Sequence, residues 1–253
     1  MDIQLLAEKI DTAAKNAQAI EQLTHSTPLD VDTSYAIQKA SLERRYERGE
    51  QFIGVKMGFT SKAKMEQMGV HDLIWGRLTD KMQLAPNAEL PFSEFIHPRA
   101  EPEICFRVKR KIDRAISMEE VKDYIDGIAP AIEVIDSRYK NYKFALEDVI
   151  ADNCSSAALV IGDWQSVDTP LNNLKIKLII DGETVQDGSS DAILGNPWES
   201  VTAAARLGEK YGQPLEVGSV IMAGAATSAV YLKAGQTVTT TVEKLGSTSF
   251  KVA

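Results

Sequence analysis

The apolar pattern of this chain changes period part-way along, and that change restricts it to folds that set helices against a β-rich core. Ile3, Leu6, Ile10, Ala13, Ala17 and Ile20 recur at steps of three and four, which is one face of a helix. Pro28, in the segment STPLDVDTS, is expected to stop it. A second helix is expected from an N-cap at Asp32 or Thr33 to about Arg48. Arg44, Arg45 and Arg48 fall in its last turns, where cations suit the helix dipole, and Gly49 follows as terminator. Residues 52–60 then alternate. Ile53, Val55, Met57 and Phe59 take one face and Gly54, Lys56, Gly58 and Thr60 the other, as in a strand.

A short helix is expected over residues 61–68, closed by Gly69. EICFRV at 103–108 reads as a strand, and Ser117-Met118-Glu119-Glu120 fits a capping box before a helix ending near Gly127. AIEVID at 131–136 and AALVIG at 157–162 are further strands. From Leu174 the chain is mostly β: LKIKLII alternates, and Asp181-Gly182 is a strong hairpin signal. One helix interrupts, with Asn196 as N-cap and Pro197 at its first position; strands follow at 218–224, 229–233, 237–243 and 247–253. Strands do not alternate regularly with helices, which disfavours a doubly wound parallel sheet. The organisation expected is a helical N-terminal portion with the first strand (residues 1–75) and a β-rich catalytic portion (76–253), together one compact domain.

Charge excludes one class of function. With 28 Lys and Arg against 36 Asp and Glu, the net charge is −8, the wrong sign for a general nucleic-acid surface. Cys105 and Cys154 are too few for a disulfide scaffold and match no zinc spacing. Acidic residues interrupt the first segment where a secretory signal would be apolar, and no apolar run approaches the roughly 18–20 residues of a membrane helix. A cytoplasmic protein without membrane contact is expected. Dinucleotide, P-loop, nucleophile-elbow and zincin motifs are absent, and His25, His71 and His97 are not at metal-ligand spacing.

The acids that stand out are Glu101 and Glu103. On an extended chain residues i and i+2 point the same way, which sets these carboxylates about 7 Å apart on one face. Pro102 between them limits ladder pairing. Taken alone, such a pair is more ordinarily a solvated strand face. Glu133 sits between Ile132 and Val134, where a carboxylate is costly unless paired or bound to metal. Three glutamates from two strands make a hard oxygen site suited to Mg²⁺ or Mn²⁺, although nothing in the sequence alone puts Glu133 beside the other two. Lys56 has Gly54 and Gly58 on its own face, which leaves space for a ligand beside the ammonium group. Such a lysine holds a carboxylate or works as an acid or base; otherwise it reaches to solvent.

These residues lie in longer strings: GVKMGFTS at 54–61, EPEI at 101–104, EVIDSRY at 133–139 and ADNCSS at 151–156. Together, from about residue 30 to the end, they make the chain resemble the fumarylacetoacetate hydrolase superfamily, in its hydratase/decarboxylase branch. The resemblance implies an α+β fold, a mixed twisted β-roll with an N-terminal helical segment. It implies that Glu101, Glu103 and Glu133 bind Mg²⁺ or Mn²⁺, that Lys56 is the active-site lysine, and that Ser155, Ser156 and Thr227 face substrate. KMGFTSKAKMEQMGV at 56–70 and SRYKNYKF at 137–144 lean towards the decarboxylases of meta-cleavage aromatic degradation. The activity implied is metal-dependent loss of CO₂ from 2-oxo-3-hexenedioate, a small dicarboxylic 2-oxo acid, giving 2-hydroxypenta-2,4-dienoate. Arg77, Arg138 and Lys62 are candidates to hold the departing carboxylate. The alternatives are a hydratase of that dienoate, a C–C hydrolase using His97 as base, and an inactive partner subunit of the hydratase. A homo-oligomer and a complex with the hydratase are also implied.

Overall fold

The structure, a computed structural model, describes residues 1–60 and 72–253. The helix expected over 61–68, Gly69, Lys62 and His71 lie outside the described residues. Helices α1 (Ile3–Lys15) and α2 (Val31–Glu47) open the chain. Leu6 and Ile10 of α1 pack on Ile37 and Ala40 of α2 and on Tyr139, as the periodicity predicts. The helix stops well before Pro28, however. Ala17 takes a left-handed φ of 48°, and Ile20 becomes a backbone rung instead. Its N–H donates to the Arg138 carbonyl at 2.9 Å and its carbonyl accepts from Lys140 at 3.0 Å. Long-range pairing wins here over local period. The N-cap of α2 is Asp30 rather than Asp32 or Thr33, and its carboxylate accepts from the Thr33 N–H at 2.7 Å. Of the basic residues at the end of α2, Arg48 ties it to α1 by binding Asp11 at 2.6 Å, and Arg45 binds Glu50 just before β1 at 2.9 Å.

Thirteen strands follow among the described residues: β1 (Phe52–Gly58), β2 (Ile74–Thr79), β3 (Gln83–Leu84), β4 (Glu89–Leu90), β5 (Arg99–Val108), β6 (Ile125–Ile135), β7 (Ser156–Ile161), β8 (Lys175–Ile180), β9 (Glu183–Ser189), β10 (Val220–Met222), β11 (Val230–Tyr231), β12 (Thr237–Val242) and β13 (Gly246–Val252). One mixed sheet runs β2-β1-β10-β5-β6-β7-β3, with β11 on β5; the other runs β4-β13-β12-β8-β9. The β8–β9 hairpin turns at Asp181 and Gly182, both at positive φ, as a tight two-residue turn demands. Helices α3 (Val121–Tyr124), α4 (Leu146–Ala151) and α5 (Trp198–Lys210) complete the α+β roll. Here α3 is one turn rather than the longer helix expected. Glu120 does accept from the Ser117 N–H at 2.9 Å, half of the capping box, but the chain is extended from Ile125 because β6 pairs with β5 from there on. Among the described residues no helix is long and apolar enough to cross a membrane.

Two faces of the large sheet do different work. Val55, Met57, Ile104, Phe106 and Ile221 pack beneath Val201 and Ala204 of α5 in the main core. Further along the same side, Ile132, Val134 and Val160 pack on Leu178, Val238 and Phe250 of the smaller sheet. The opposite face carries the polar residues. Lys56 pairs with Met222, and Met222 with Cys105, so all three lie on the face that also bears Glu101 and Glu103. Ile53 departs from its expected side. The β1–β2 register shifts between Phe52 and Gly54, and Ile53 joins Met222 and Cys105 instead of Val55. Gly54 is obligatory for another reason than ligand space: a Cβ there would lie 2.0 Å from the Val220 carbonyl oxygen, so its absence lets β10 approach β1. At Gly58 the vacated volume is taken by the Ile74 side chain, 2.8 Å from where a Cβ would stand.

Candidate active site

The β5–β6 register sets Glu101 directly opposite Glu133 and Glu103 opposite Ala131. One carboxylate oxygen from each of Glu101, Glu103 and Glu133 lies within 4.8 Å of the other two. Glu103 and Glu133 are completely buried. Glu103 Oε2 accepts from the Gly224 N–H at 2.8 Å, and Glu133 Oε2 accepts from Lys56 Nζ at 2.9 Å. The remaining oxygens, Glu103 Oε1 and Glu133 Oε1, receive no donor. Gly224 is held at φ 104° with a side chain excluded by Thr60, which aims its N–H at Glu103.

Electrostatics says what this cluster lacks. Burial, then the charge of Glu133, pushes Glu103 well above the usual carboxylate range. Burial likewise lifts Glu133 to about 7, with the charge of Glu101 adding to the rise and that of Lys56 opposing it. Burial disfavours the Lys56 ammonium, but attraction to Glu133 and the neighbouring acids outweighs it and keeps the lysine charged. Once ionised, three carboxylates held this close repel one another. A divalent cation relieves that repulsion, and the two buried oxygens without donors, Glu103 Oε1 and Glu133 Oε1, are ligands for it. All donors are hard oxygens, which suits Mg²⁺ or Mn²⁺.

A cavity of about 360 Å³ opens onto this cluster. Lys56, Glu101, Arg99, Tyr142, Cys154 and Ser155 are among its walls, with Phe59, Phe144 and Val149 as apolar lining. A larger cleft of about 500 Å³ lies elsewhere, but its Asp11, Arg45, Arg48 and Glu50 are already paired with one another. Burial pushes the Cys154 thiol up to about 12, so it is a neutral wall rather than a nucleophile. Asn153, Cys154 and Ser155 all sit at positive φ, 50°, 53° and 59°. Such left-handed runs are strained, and strain of this kind collects at functional sites. Asn153 anchors the run by exchanging two 2.8 Å hydrogen bonds with the Arg77 backbone. The run delivers Ser155 to the cavity wall with its hydroxyl buried and unpartnered.

The other expected site residues lie apart. Ser156 starts β7 with its Oγ against Gly76, 2.6 Å from where a Cβ there would stand. Thr227 packs its methyl towards Gly188, and its neighbours Ala225 and Ser228 line the cavity instead. Arg77 is bonded to Gln38 at 2.5 Å and to Gln213 at 3.2 Å, away from the cavity. Arg138 is committed to Asp152 and to the Asp136 and Ser156 carbonyls. His97 does not line the cavity, lies against the Tyr142 ring at 4.7 Å, and is held below the usual histidine range mainly by burial. Arg99 and Tyr142 were not singled out by sequence reasoning. The signal for Arg99 was the alternation itself, since residues 99, 101 and 103 share a strand face.

The model of the fumarylacetoacetate (FAA) hydrolase C-terminal family matches residues 81–253. The chain belongs to that family. Among curated relatives in it, a 4-oxalocrotonate decarboxylase of a Pseudomonas species is 45% identical over 250 residues, 99% of this chain and 98% of that protein. A 2-keto-4-pentenoate hydratase from Paraburkholderia phymatum is 32% identical, covering 97% of this chain and 95% of its own. The solved structure of 4-oxalocrotonate decarboxylase from Pseudomonas putida G7, complexed with magnesium and adipate, superposes with a TM-score of 0.95 at 35% identity. That match covers 99% of this chain and 97% of that one.

Proposed function

We propose that this family member is a metal-dependent 4-oxalocrotonate decarboxylase, converting 2-oxo-3-hexenedioate to CO₂ and 2-hydroxypenta-2,4-dienoate. The observation that carries the reading is whole-length similarity to a decarboxylase at 45% identity, against 32% for the hydratase. The site fits it. Glu101, Glu103 and Glu133 would hold Mg²⁺ or Mn²⁺, which supplies Lewis acidity towards a bound 2-oxo acid. Residues 1–75 contribute Lys56 and residues 76–253 the glutamates, so the two portions act as one catalytic unit.

In the reaction the C5–C6 bond breaks and CO₂ departs. Its electron pair forms the C4–C5 double bond and passes through the enone to the C2 oxygen, which then takes a proton. Lys56, charged and beside the cavity, offers its ammonium to that developing anion and is placed to exchange the proton. The Glu133 carboxylate fixes the lysine in place at 2.9 Å. Phe59, Phe144 and Val149 limit water around the dienolate, which favours CO₂ loss over hydration. Ser155 offers a hydroxyl to substrate. We also infer a cytoplasmic homo-oligomer that associates with the hydratase consuming its unstable dienol product.

Replacing Lys56 with methionine is expected to lower kcat about 10²–10³-fold, with a smaller change in KM. Steady-state CO₂ release at saturating Mg²⁺ checks this, and unchanged kcat and KM would remove the lysine from the mechanism. The activity itself is tested by offering 2-oxo-3-hexenedioate and the dienoate separately, with Mg²⁺. CO₂ from the first supports the proposal. Formation of 4-hydroxy-2-oxopentanoate from the second, without CO₂ from the first, would make this chain the hydratase.

A further inference from the structure

Arg99 is a cation at the cavity wall that the glutamate cluster does not use. It begins β5 and lies on the same strand face as Glu101, about 7 Å further along at about 3.3 Å per residue. Among the described residues no carboxylate forms an ion pair with it. Two rings hold it instead. Its guanidinium carbon lies 3.7 Å from the Tyr142 ring centroid and 4.0 Å from that of Tyr231. It also donates one hydrogen bond to the Tyr231 hydroxyl. Ring contacts steady a cation without cancelling its charge.

Two polar atoms at this end of the cavity have no partner. Arg99 Nε is buried without an acceptor, and the Tyr142 hydroxyl is buried without any hydrogen bond. Both side chains line the cavity. Buried donors left unpaired are costly, so a cavity that keeps two of them is built for a ligand with acceptors. Tyr142 is brought there by consecutive left-handed residues, Asn141 at φ 59° and Tyr142 at φ 58°. The guanidinium fork and the hydroxyl match one carboxylate.

We propose that Arg99, with Tyr142, is the subsite for the distal carboxylate of a 2-oxo dicarboxylic acid whose 2-oxo end lies at the glutamate cluster. The two-residue repeat along β5, about 7 Å, is roughly the length of an extended six-carbon diacid. This rests on the proposed function for the 2-oxo end alone. It also sets a kinetic signature. The carboxylate loses its charge as CO₂ forms, so attraction to Arg99 belongs to the ground state, and its loss raises KM and kcat together with kcat/KM little changed. Arg99 thus selects diacids over monoacids.

The test uses unreactive probes in the presence of Mg²⁺: 2-oxoadipate, with the distal carboxylate, and 2-oxohexanoate, without it. The wild-type protein is expected to prefer 2-oxoadipate by about 10–100-fold in Kd, the size of one charge-assisted pair. Arg99→Met is expected to lose that preference while binding 2-oxohexanoate unchanged, which also shows that the variant is folded. Arg99→Lys, which keeps the charge but not the fork, is expected to retain an intermediate preference. An unchanged ratio in Arg99→Met, with both probes still bound, overturns the assignment of Arg99 and leaves the 2-oxo acid reading intact. If wild-type protein binds neither probe, the 2-oxo acid reading falls, and the subsite with it.

Discussion

Glu103→Gln is expected to weaken Mg²⁺ binding at least about 100-fold, beyond the 10–100-fold typical of losing a mere supporting contact to a metal ligand. CO₂ release at fixed Mg²⁺ falls in parallel. Glutamine keeps the shape of the side chain and an oxygen able to accept from Gly224, now 2.8 Å from Glu103. What it removes is one of the negative charges that would face the metal. The fold survives, because Glu103 is a fully buried acid that burial and Glu133 already disfavour as an anion. The metal-free variant is therefore expected to melt no lower than the metal-free wild type. Calorimetric titration with Mg²⁺ and thermal unfolding check both halves. Unchanged Mg²⁺ affinity would take Glu103 out of the metal site.

The second large effect is on stability. Arg138 is buried, and its guanidinium bonds the Asp152 carboxylate and the carbonyls of Asp136, Asp152 and Ser156. It thereby joins the end of β6, the segment after α4 and the start of β7 around the left-handed run that carries Ser155. Burial pushes Asp152 up to about 6 while Arg138 pulls it back, so the carboxylate depends on that one cation. Arg138→Met strands the buried Asp152 carboxylate without its cation, with only the residue-138 backbone N–H still donating to it, and takes a donor from three carbonyls, a loss of about 3–5 kcal/mol. For a chain of this size that lowers Tm by about 10 °C. Arg138→Met with Asp152→Asn is expected to recover part of the loss, since no buried charge is stranded. A single-variant Tm within about 2 °C of wild type would contradict the account.

Much of this architecture could be read from residue patterns because local chemistry and tertiary packing agree in it. Val55 and Met57 face the core as their alternation predicts, and Asp181-Gly182 turns the hairpin it signals. Disagreement came where a distant strand decided the matter. Ile20 left its helix to pair with the Arg138–Lys140 backbone, and Ile125 turned extended to pair with Val108. Ile53 changed sides at a bulge, which one strand's sequence does not announce. The site divides in the same way. Glu101 and Glu103 declare a shared face within one strand, whereas Glu133 joins them only through the β5–β6 register. Lys56 needed two further registers, through Met222 to Cys105. Of its flanking glycines, Gly58 lines the cavity beside it as expected, whereas Gly54 serves to admit β10. Arg99 was within reach of the alternation argument and went unnoticed because its partners, Tyr142 and Tyr231, come from remote loops and strands.

The most direct measurement follows carbon. Purified protein is given 2-oxo-3-hexenedioate labelled with ¹³C at C6, and labelled CO₂ is counted against substrate consumed. A decarboxylase built on Glu101, Glu103, Glu133 and Lys56 releases label in step with substrate loss, stops when a chelator removes divalent metal, and resumes when Mg²⁺ is restored. Substrate consumed with the label still in the product, or label released at the same rate under chelation, would contradict it.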